Sequence, residues 1–175
     1  VLSAKQMAEL EPEVDMNIVG AVYFPKDCHL RPELYVQVQE TRLKAAGGTL
    51  RYGCHVLDFE KRGNRIASVR TSEGVFTADE FILSGGAWSS NLAKKLGLSI
   101  PLQAGKGYSV TLTEPKQLPR ICSILTEARV AVTPMGNSLR FGGTMEISGL
   151  NPEISQRRVD GIIRSVSKYY PRFSA

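Results

Sequence analysis

Two histidines and three cysteines are all this chain offers for soft-metal chemistry, and that scarcity removes whole classes of function. Cys28, Cys54 and Cys122 are odd in number and widely spaced, with no C-x-x-C pair, so neither a structural zinc nor a disulfide framework is expected. The neighbours Cys28 and His29 invite a ligand reading. However, adjacent side chains on an extended segment point apart, and no second pair is spaced to complete a tetrahedral site, so no metal is assigned. No apolar run approaches the roughly 18 residues of a spanning helix, and Val1-Leu2-Ser3-Ala4-Lys5 lacks a signal-peptide layout. The chain is therefore expected to be soluble, or at most to lie on a membrane surface. Lys and Arg outnumber Asp and Glu by 22 to 17 without forming a like-charged block. That spread predicts solvated faces rather than a phosphate-tracking stripe, and nucleic acid is not an expected partner.

What is present is enough apolar material, 42% of 175 residues, for one substantial core or two small ones. Ser3 with Gln6 three residues on, followed by Met7 and Leu10, predicts a short capped helix closed near Pro12. Gly20 to Phe24 reads as a short buried strand stopped by Pro25. Pro32 opens a helix carrying Leu34, Val38, Leu43 and Ala46, with Gly47-Gly48 as its stop. The period then becomes two. Thr49 to Tyr52, His55 to Phe59, Arg65 to Thr71 and Val75 to Thr77 read as strands separated by turn signals at Arg62-Gly63-Asn64 and Ser72-Glu73-Gly74, an antiparallel meander.

Further on, Glu80 to Ser84 forms a short apolar run entering Gly85-Gly86. Ser89 or Ser90 is the expected cap of a helix from Asn91 to Leu96, closed by Gly97. Strand and turn texture returns at Gly107–Thr113, Ser123–Leu125, Val130–Thr133 and Leu139–Gly143, with a hairpin loop at Pro134-Met135-Gly136-Asn137. Ile154, Val159, Ile162, Ile163, Val166 and Tyr169 fall at helical spacing over Pro152 to Tyr170, predicting an amphipathic helix laid on that sheet. The expected class is α/β with an α+β texture. The chain begins at Val1 rather than Met and closes on Pro171-Arg172-Phe173-Ser174-Ala175 just after a helical stretch, which reads as a chain cut at both ends.

Chemistry has few places to sit. Ile82-Leu83-Ser84-Gly85-Gly86-Ala87-Trp88-Ser89 puts two glycines where a strand would hand over to a helix, so a backbone could approach a cofactor diphosphate there; a tight turn without a ligand accounts for it equally. The full G-x-G-x-x-G is missing, and Gly105-Lys106-Gly107 precedes a strand with no G-K-[ST], so neither is a complete phosphate loop. Gly142-Gly143 fits either a bulge or the bare wall of a pocket. No nucleophile elbow is present and no carboxylate pair stands out. Chemistry carried by a bound cofactor suits such a sequence best.

The order of Gly20-Ala21-Val22-Tyr23-Phe24-Pro25-Lys26-Asp27, the helix ending Ala45-Ala46-Gly47-Gly48, the strand bearing Val56, Gly85-Gly86-Ala87-Trp88-Ser89, Ile100-Pro101-Leu102 and Lys106-Gly107-Tyr108-Ser109-Val110-Thr111 resembles the D-amino acid oxidase and glycine oxidase superfamily. Arg140-Phe141-Gly142-Gly143-Thr144-Met145-Glu146-Ile147-Ser148-Gly149 most resembles the small-subunit type of bacterial D-amino acid dehydrogenase. The resemblance covers nearly the whole chain. It implies part of a Rossmann-like FAD-binding domain over residues 30–98, and a substrate domain with a mixed or antiparallel sheet and helices on one face over 1–29 and 99–175.

By the same resemblance, FAD is the cofactor, touched by the backbone of Val56 and by the turn Gly85, Gly86, Ala87 and Trp88. Ala131, Val132, Thr133, Gly143 and Thr144 border a substrate pocket. A D-amino acid is the substrate, a quinone or another carrier the electron acceptor, and a cytoplasmic or inner-membrane-surface location is implied. The resemblance also calls for a G-x-G-x-x-G strand and a Gly-x-Arg-Pro segment whose arginine pairs with the substrate carboxylate. This sequence holds neither, so no catalytic residue is assigned and the polypeptide alone is expected to be inert. Strand edges and helix faces left bare by the missing parallel sheet are expected to favour a homodimer. Glycine or sarcosine oxidases, hydroxy-acid dehydrogenases of the same fold, and a non-catalytic binding module are the alternatives.

Overall fold

The computed structural model describes residues 1–172; residues 173–175, read above as part of a cut terminus, lie outside the described residues. Ser3 and Gln6 form the expected reciprocal cap. The Gln6 N–H donates to Ser3 Oγ at 3.3 Å and the Ser3 N–H to Gln6 Oε1 at 2.9 Å, starting α1 (Ala4–Leu10). Before it, β1 (Leu2–Ser3) pairs with β2 (Gly20–Ala21). The longer buried strand expected over Gly20 to Phe24 does not form. Only two residues of β1 lie beside it, so Val22, Tyr23 and Phe24 have no ladder to join and remain exposed.

α2 (Pro32–Ala45) ends as its glycines predict. Gly47, with φ of 81°, donates to Lys44 C=O and Gly48 to Leu43 C=O, the paired bonds that satisfy a helix's last carbonyls. None of its residues is buried. Thr49 to Tyr52 is not a strand. The chain runs from the helix stop directly into a turn at Gly53, whose φ is 71°.

The chain divides into two compact units. One gathers Val36–Gly105 with Ile147–Leu150; the other gathers Val1–Tyr35, Lys106–Glu146 and residues from Asn151 onward. In the first unit, β3 (Val56–Arg62), β4 (Arg65–Thr71) and β5 (Gly74–Phe76) make the expected antiparallel meander in that order. Glu80 to Ser84 is not a strand: among the described residues no strand pairs with it, and Ile82 is 90% exposed. A 3-10 turn (Gly86–Trp88) leads straight into α3 (Ser89–Lys95). The expected serine cap is absent. Ser89 already lies in the helix, Trp88 occupies the cap position, and Ser90 Oγ instead donates to Ile100 C=O at 2.9 Å.

The second unit is built on a four-stranded antiparallel sheet in the order β6 (Lys106–Thr113), β9 (Ser138–Glu146), β8 (Val130–Met135), β7 (Ser123–Leu125). A two-residue turn at Gly136-Asn137 joins β8 to β9. Gly136 has φ of 67°, the first-position requirement of a hairpin turn whose twist matches its strands. α4 (Gln156–Tyr169) lies on one face and buries Ile162 and Val166 against Tyr108, Val130, Val132, Leu139 and Phe141. Each such side chain contributes roughly 1.5–3 kcal/mol relative to exposure. Ile154 remains outside the helix and exposed.

Tyr170 closes this core edge-on to Phe141. Burial pushes its hydroxyl pKa up, with the Glu11 charge adding to the shift and Ser123 opposing it. The unfolded chain would lose that proton near pH 10 while the folded one holds it higher, so stability is complete below about pH 10 and declines as pH rises through the folded value. Tyr170→Phe, which has no proton to lose, is expected to shift the alkaline unfolding midpoint to higher pH in a circular-dichroism titration. An unchanged midpoint would place the alkaline limit on other groups.

Candidate functional site

In the meander unit, β3 is an edge strand. The Ser72 N–H donates to His55 C=O at 2.9 Å and Val56 pairs with Thr71. Main-chain groups on an antiparallel strand alternate between facing the partner and facing away. With His55 turned toward β4, the N–H and C=O of Val56 face the open edge, one donor beside one acceptor. Asp58, two residues on, is anchored by the Phe59 N–H and Arg70, which hold its carboxyl below the usual range. Farther along the unit, Gly85 and Gly86 form the turn ahead of α3. Gly86 has φ of 53° and open space where a Cβ would stand, while Trp88 is 62% exposed. An open-edge donor and acceptor matches the hydrogen-bonding edge of an adenine ring, and a side-chain-free turn suits a diphosphate. The two features fit a flavin adenine dinucleotide.

In the sheet unit, the strand period sorts the candidate residues. Val130, Val132 and Pro134 face the core, whereas Ala131, Thr133 and Met135 face the other side. Val132 is 0% exposed within the α4-facing core, so its side chain and those of Ala131 and Thr133 lie on opposite faces. β9 follows suit. Gly142 pairs with both Ala131 and Ser109 on the open face, and Arg140 stands between Thr133 and Thr111, with its Nε donating to Thr111 Oγ1 at 3.3 Å. Gly143 turns the other way. A Cβ there would stand 2.4 Å from Ile162 Cγ1, so its bareness makes room for α4. Thr144 is exposed where β9 leaves its regular register.

The open face is thus floored by the small residues Ser109, Gly142 and Ala131 in one row. The opposite face carries a charged cluster that residue-type reasoning missed. Glu146 Oε1 is 2.7 Å from Lys106 Nζ, and Glu146 Oε2 is 3.0 Å from Arg158 Nε. The Tyr108 O–H donates to Glu146 Oε2 at 3.1 Å and accepts from the Ser155 N–H at 3.3 Å. Hydrogen bonding to Glu146 holds the Lys106 ammonium above its ordinary pKa. Lys106 belonged to an incomplete phosphate loop in the sequence, and nothing in the spacing of residues 106, 108, 146 and 158 announced their meeting. Among the described residues no group of three or more His, Cys, Asp or Glu is placed to hold a metal ion.

One unit thus offers a main-chain edge and a bare turn, and the other a helix-backed antiparallel sheet with one open face. A family model described as FAD dependent oxidoreductase matches residues 1–175, and the chain belongs to that FAD-dependent family. The D-amino acid dehydrogenase of Bradyrhizobium diazoefficiens is 30% identical over 98% of this chain and 42% of its own length; that of Vibrio vulnificus is 30% identical over 97% of the chain and 42% of its length. The glycine oxidase structure from Bacillus cereus superposes with a TM-score of 0.82 at 25% identity, covering 97% of this chain and 47% of that one. L-proline dehydrogenase from P. horikoshii shares the fold, with a TM-score of 0.79 at 18% identity over 97% of this chain and 47% of that one. The chain spans less than half the length of the curated relatives it matches.

Proposed function

We propose that the chain forms part of a flavoenzyme that oxidises D-amino acids to 2-oxo acids and ammonium. The observation that carries this reading is the likeness to D-amino acid dehydrogenases along 97–98% of the chain. The substrate α-carbon gives up a hydride and its amine a proton, leaving an imino acid; water adds to the C=N bond and ammonium departs. FAD, when bound, supplies the two-electron acceptor for that hydride. The chain itself holds and shapes. Val56 offers its edge N–H and C=O to the adenine, and the turn Gly85-Gly86-Ala87-Trp88 lets the backbone pass close to the cofactor. Ala131, Thr133 and Gly142 floor the substrate side, while Val132 and Gly143 brace that floor from behind, with Thr144 at its end. No strong base is required, because an amine that enters neutral needs only orientation.

Electrons then leave for a quinone or another carrier, and such an acceptor would bring the protein to the cytoplasmic face of a membrane. No helix among the described residues is long and apolar enough to cross one. A homodimer belongs to the same reading. The competing reading, a glycine or sarcosine oxidase, draws on the glycine oxidase superposition. Dye reduction under anaerobic conditions by the gene's full product, run on D-amino acids, L-amino acids, glycine, sarcosine and hydroxy acids, separates the two. Turnover of D-alanine is expected, and activity confined to sarcosine, glycine or hydroxy acids overturns the assignment.

A main-chain contact has its own signature. Val56→Pro removes the outward N–H from an edge strand, where proline is tolerated, and is expected to weaken FAD binding about tenfold, the loss of roughly one hydrogen bond. Val56→Ala keeps the N–H and should leave binding within about twofold. Flavin fluorescence titration of both variants checks this; equal weakening by the two would show that the side chain makes the contact.

A further inference from the structure

β9 carries one more residue than β6 between two of their pairs. Gly142 faces Ser109 and Met145 faces Gly107, so three steps on β9 match two on β6. An inserted residue of this kind reverses the face of everything after it. Without it, Met145 would follow Phe141 and Gly143 toward α4, and Glu146 would follow Gly142 onto the open face. With it, Met145 emerges on the open side, 64% exposed, beyond the row of Ser109, Gly142 and Ala131. Glu146 turns inward to Lys106, Arg158 and Tyr108.

The inward position is costly for a carboxylate unless it is paired, and here it is paired three ways, with its side chain only 15% exposed. Lys106 also donates to Glu153 C=O at 2.5 Å and Arg158 Nη1 to Met145 C=O at 3.4 Å, so the cluster grips the end of β9 just past the inserted residue and ties it to the segment before α4. Slipping β9 back by one position would expel Glu146 and strand two cations. The cluster therefore locks the register that exposes Met145. Small neighbours leave the long, adaptable thioether free to form a wall above the floor.

We infer that Glu146 is a positioning residue for substrate, acting through Met145 by locking the displaced register of β9. This rests on the open face being the substrate side, as proposed above. The test is a double-mutant cycle in the gene's full product with FAD bound, using Glu146→Gln, Met145→Ala and the pair. Glu146→Gln is expected to raise KM about tenfold while kcat changes less than about threefold. In the Met145→Ala background the same change should shift KM by less than about twofold, because the side chain it positions is gone. The flavin absorbance spectrum and content should stay as in the wild type.

An undiminished KM effect in the Met145→Ala background, or no KM effect at all, overturns the inference. Should the Glu146→Gln protein fail to accumulate, Arg158→Met takes its place in the same cycle under the same criterion. The cycle is read on whichever substrate the wild type oxidises. A wild type that ignores D-amino acids thus defeats the substrate assignment alone, and additivity in the cycle defeats the positioning role alone.

Discussion

Glu11→Ala is expected to destabilise the sheet unit by about 3 kcal/mol, the upper range for hydrogen bonds to a charged group. Glu11 is 1% exposed. Its carboxylate accepts from the Arg120 N–H at 2.9 Å and the Ile121 N–H at 2.7 Å, tying the end of α1 to the loop before β7. Alanine would leave the partly buried N–H groups of Arg120 and Ile121 without this acceptor and remove the contact that fixes the loop. Glu11→Gln retains one good acceptor oxygen and should lose about half as much. Trp88, the sole tryptophan, belongs to the meander unit, so its emission would miss the effect. Amide exchange at Val132 and Phe141 during urea unfolding reads it directly. A change below about 0.5 kcal/mol would mean the loop finds other acceptors.

Gly143→Ala is expected to cost about 2–3 kcal/mol by overpacking. The new methyl would lie 2.4 Å from Ile162 Cγ1 and 2.7 Å from its Cδ1, and Ile162 is buried and β-branched on a helix, with little freedom to rotate away. Ile162→Ala alone opens a cavity and costs about 2–5 kcal/mol. Together the two should cost at least about 1 kcal/mol less than their sum, since each relieves the other. Gly142→Ala, whose methyl would meet only Ala131 Cβ at 3.9 Å, should change stability by under about 0.5 kcal/mol. Denaturant midpoints for the four proteins decide this, and strict additivity would show that α4 moves aside instead.

Local chemistry made part of this architecture legible. The Ser3–Gln6 cap, the Gly47-Gly48 stop and the helical spacing of Ile162 and Val166 are each written within a few residues, and each formed as read; the hairpin loop read over Pro134 to Asn137 narrows to Gly136-Asn137, with Pro134 and Met135 paired in β8. Gly20–Phe24, Thr49–Tyr52 and Glu80–Ser84 misled for one shared reason. Their propensity suits a strand, but a strand exists only beside another, and no short window states the partner. Three consecutive candidate pocket residues, Ala131 to Thr133, could not all face one way once period two applied. Glu11 and Glu146 stayed hidden because their partners lie as far as 110 and 40 positions away. The Gly142-Gly143 pair hinted at the irregularity in β9, though not at which later side chain it would turn outward.

The alternation along β8 and β9 also bears on how such a protein can diverge. On these two strands, Val132 and Phe141 answer to the packing against α4, while their neighbours Ala131 and Gly142 answer to whatever lies on the open side. Drift in recognition and drift in foldedness can proceed on interleaved positions with little mutual penalty. Only past the inserted residue of β9 do the two become one trait. There a change chosen for what Met145 touches must also satisfy the register that Glu146 holds, and descendants with a new preference should change those two positions together or leave both alone.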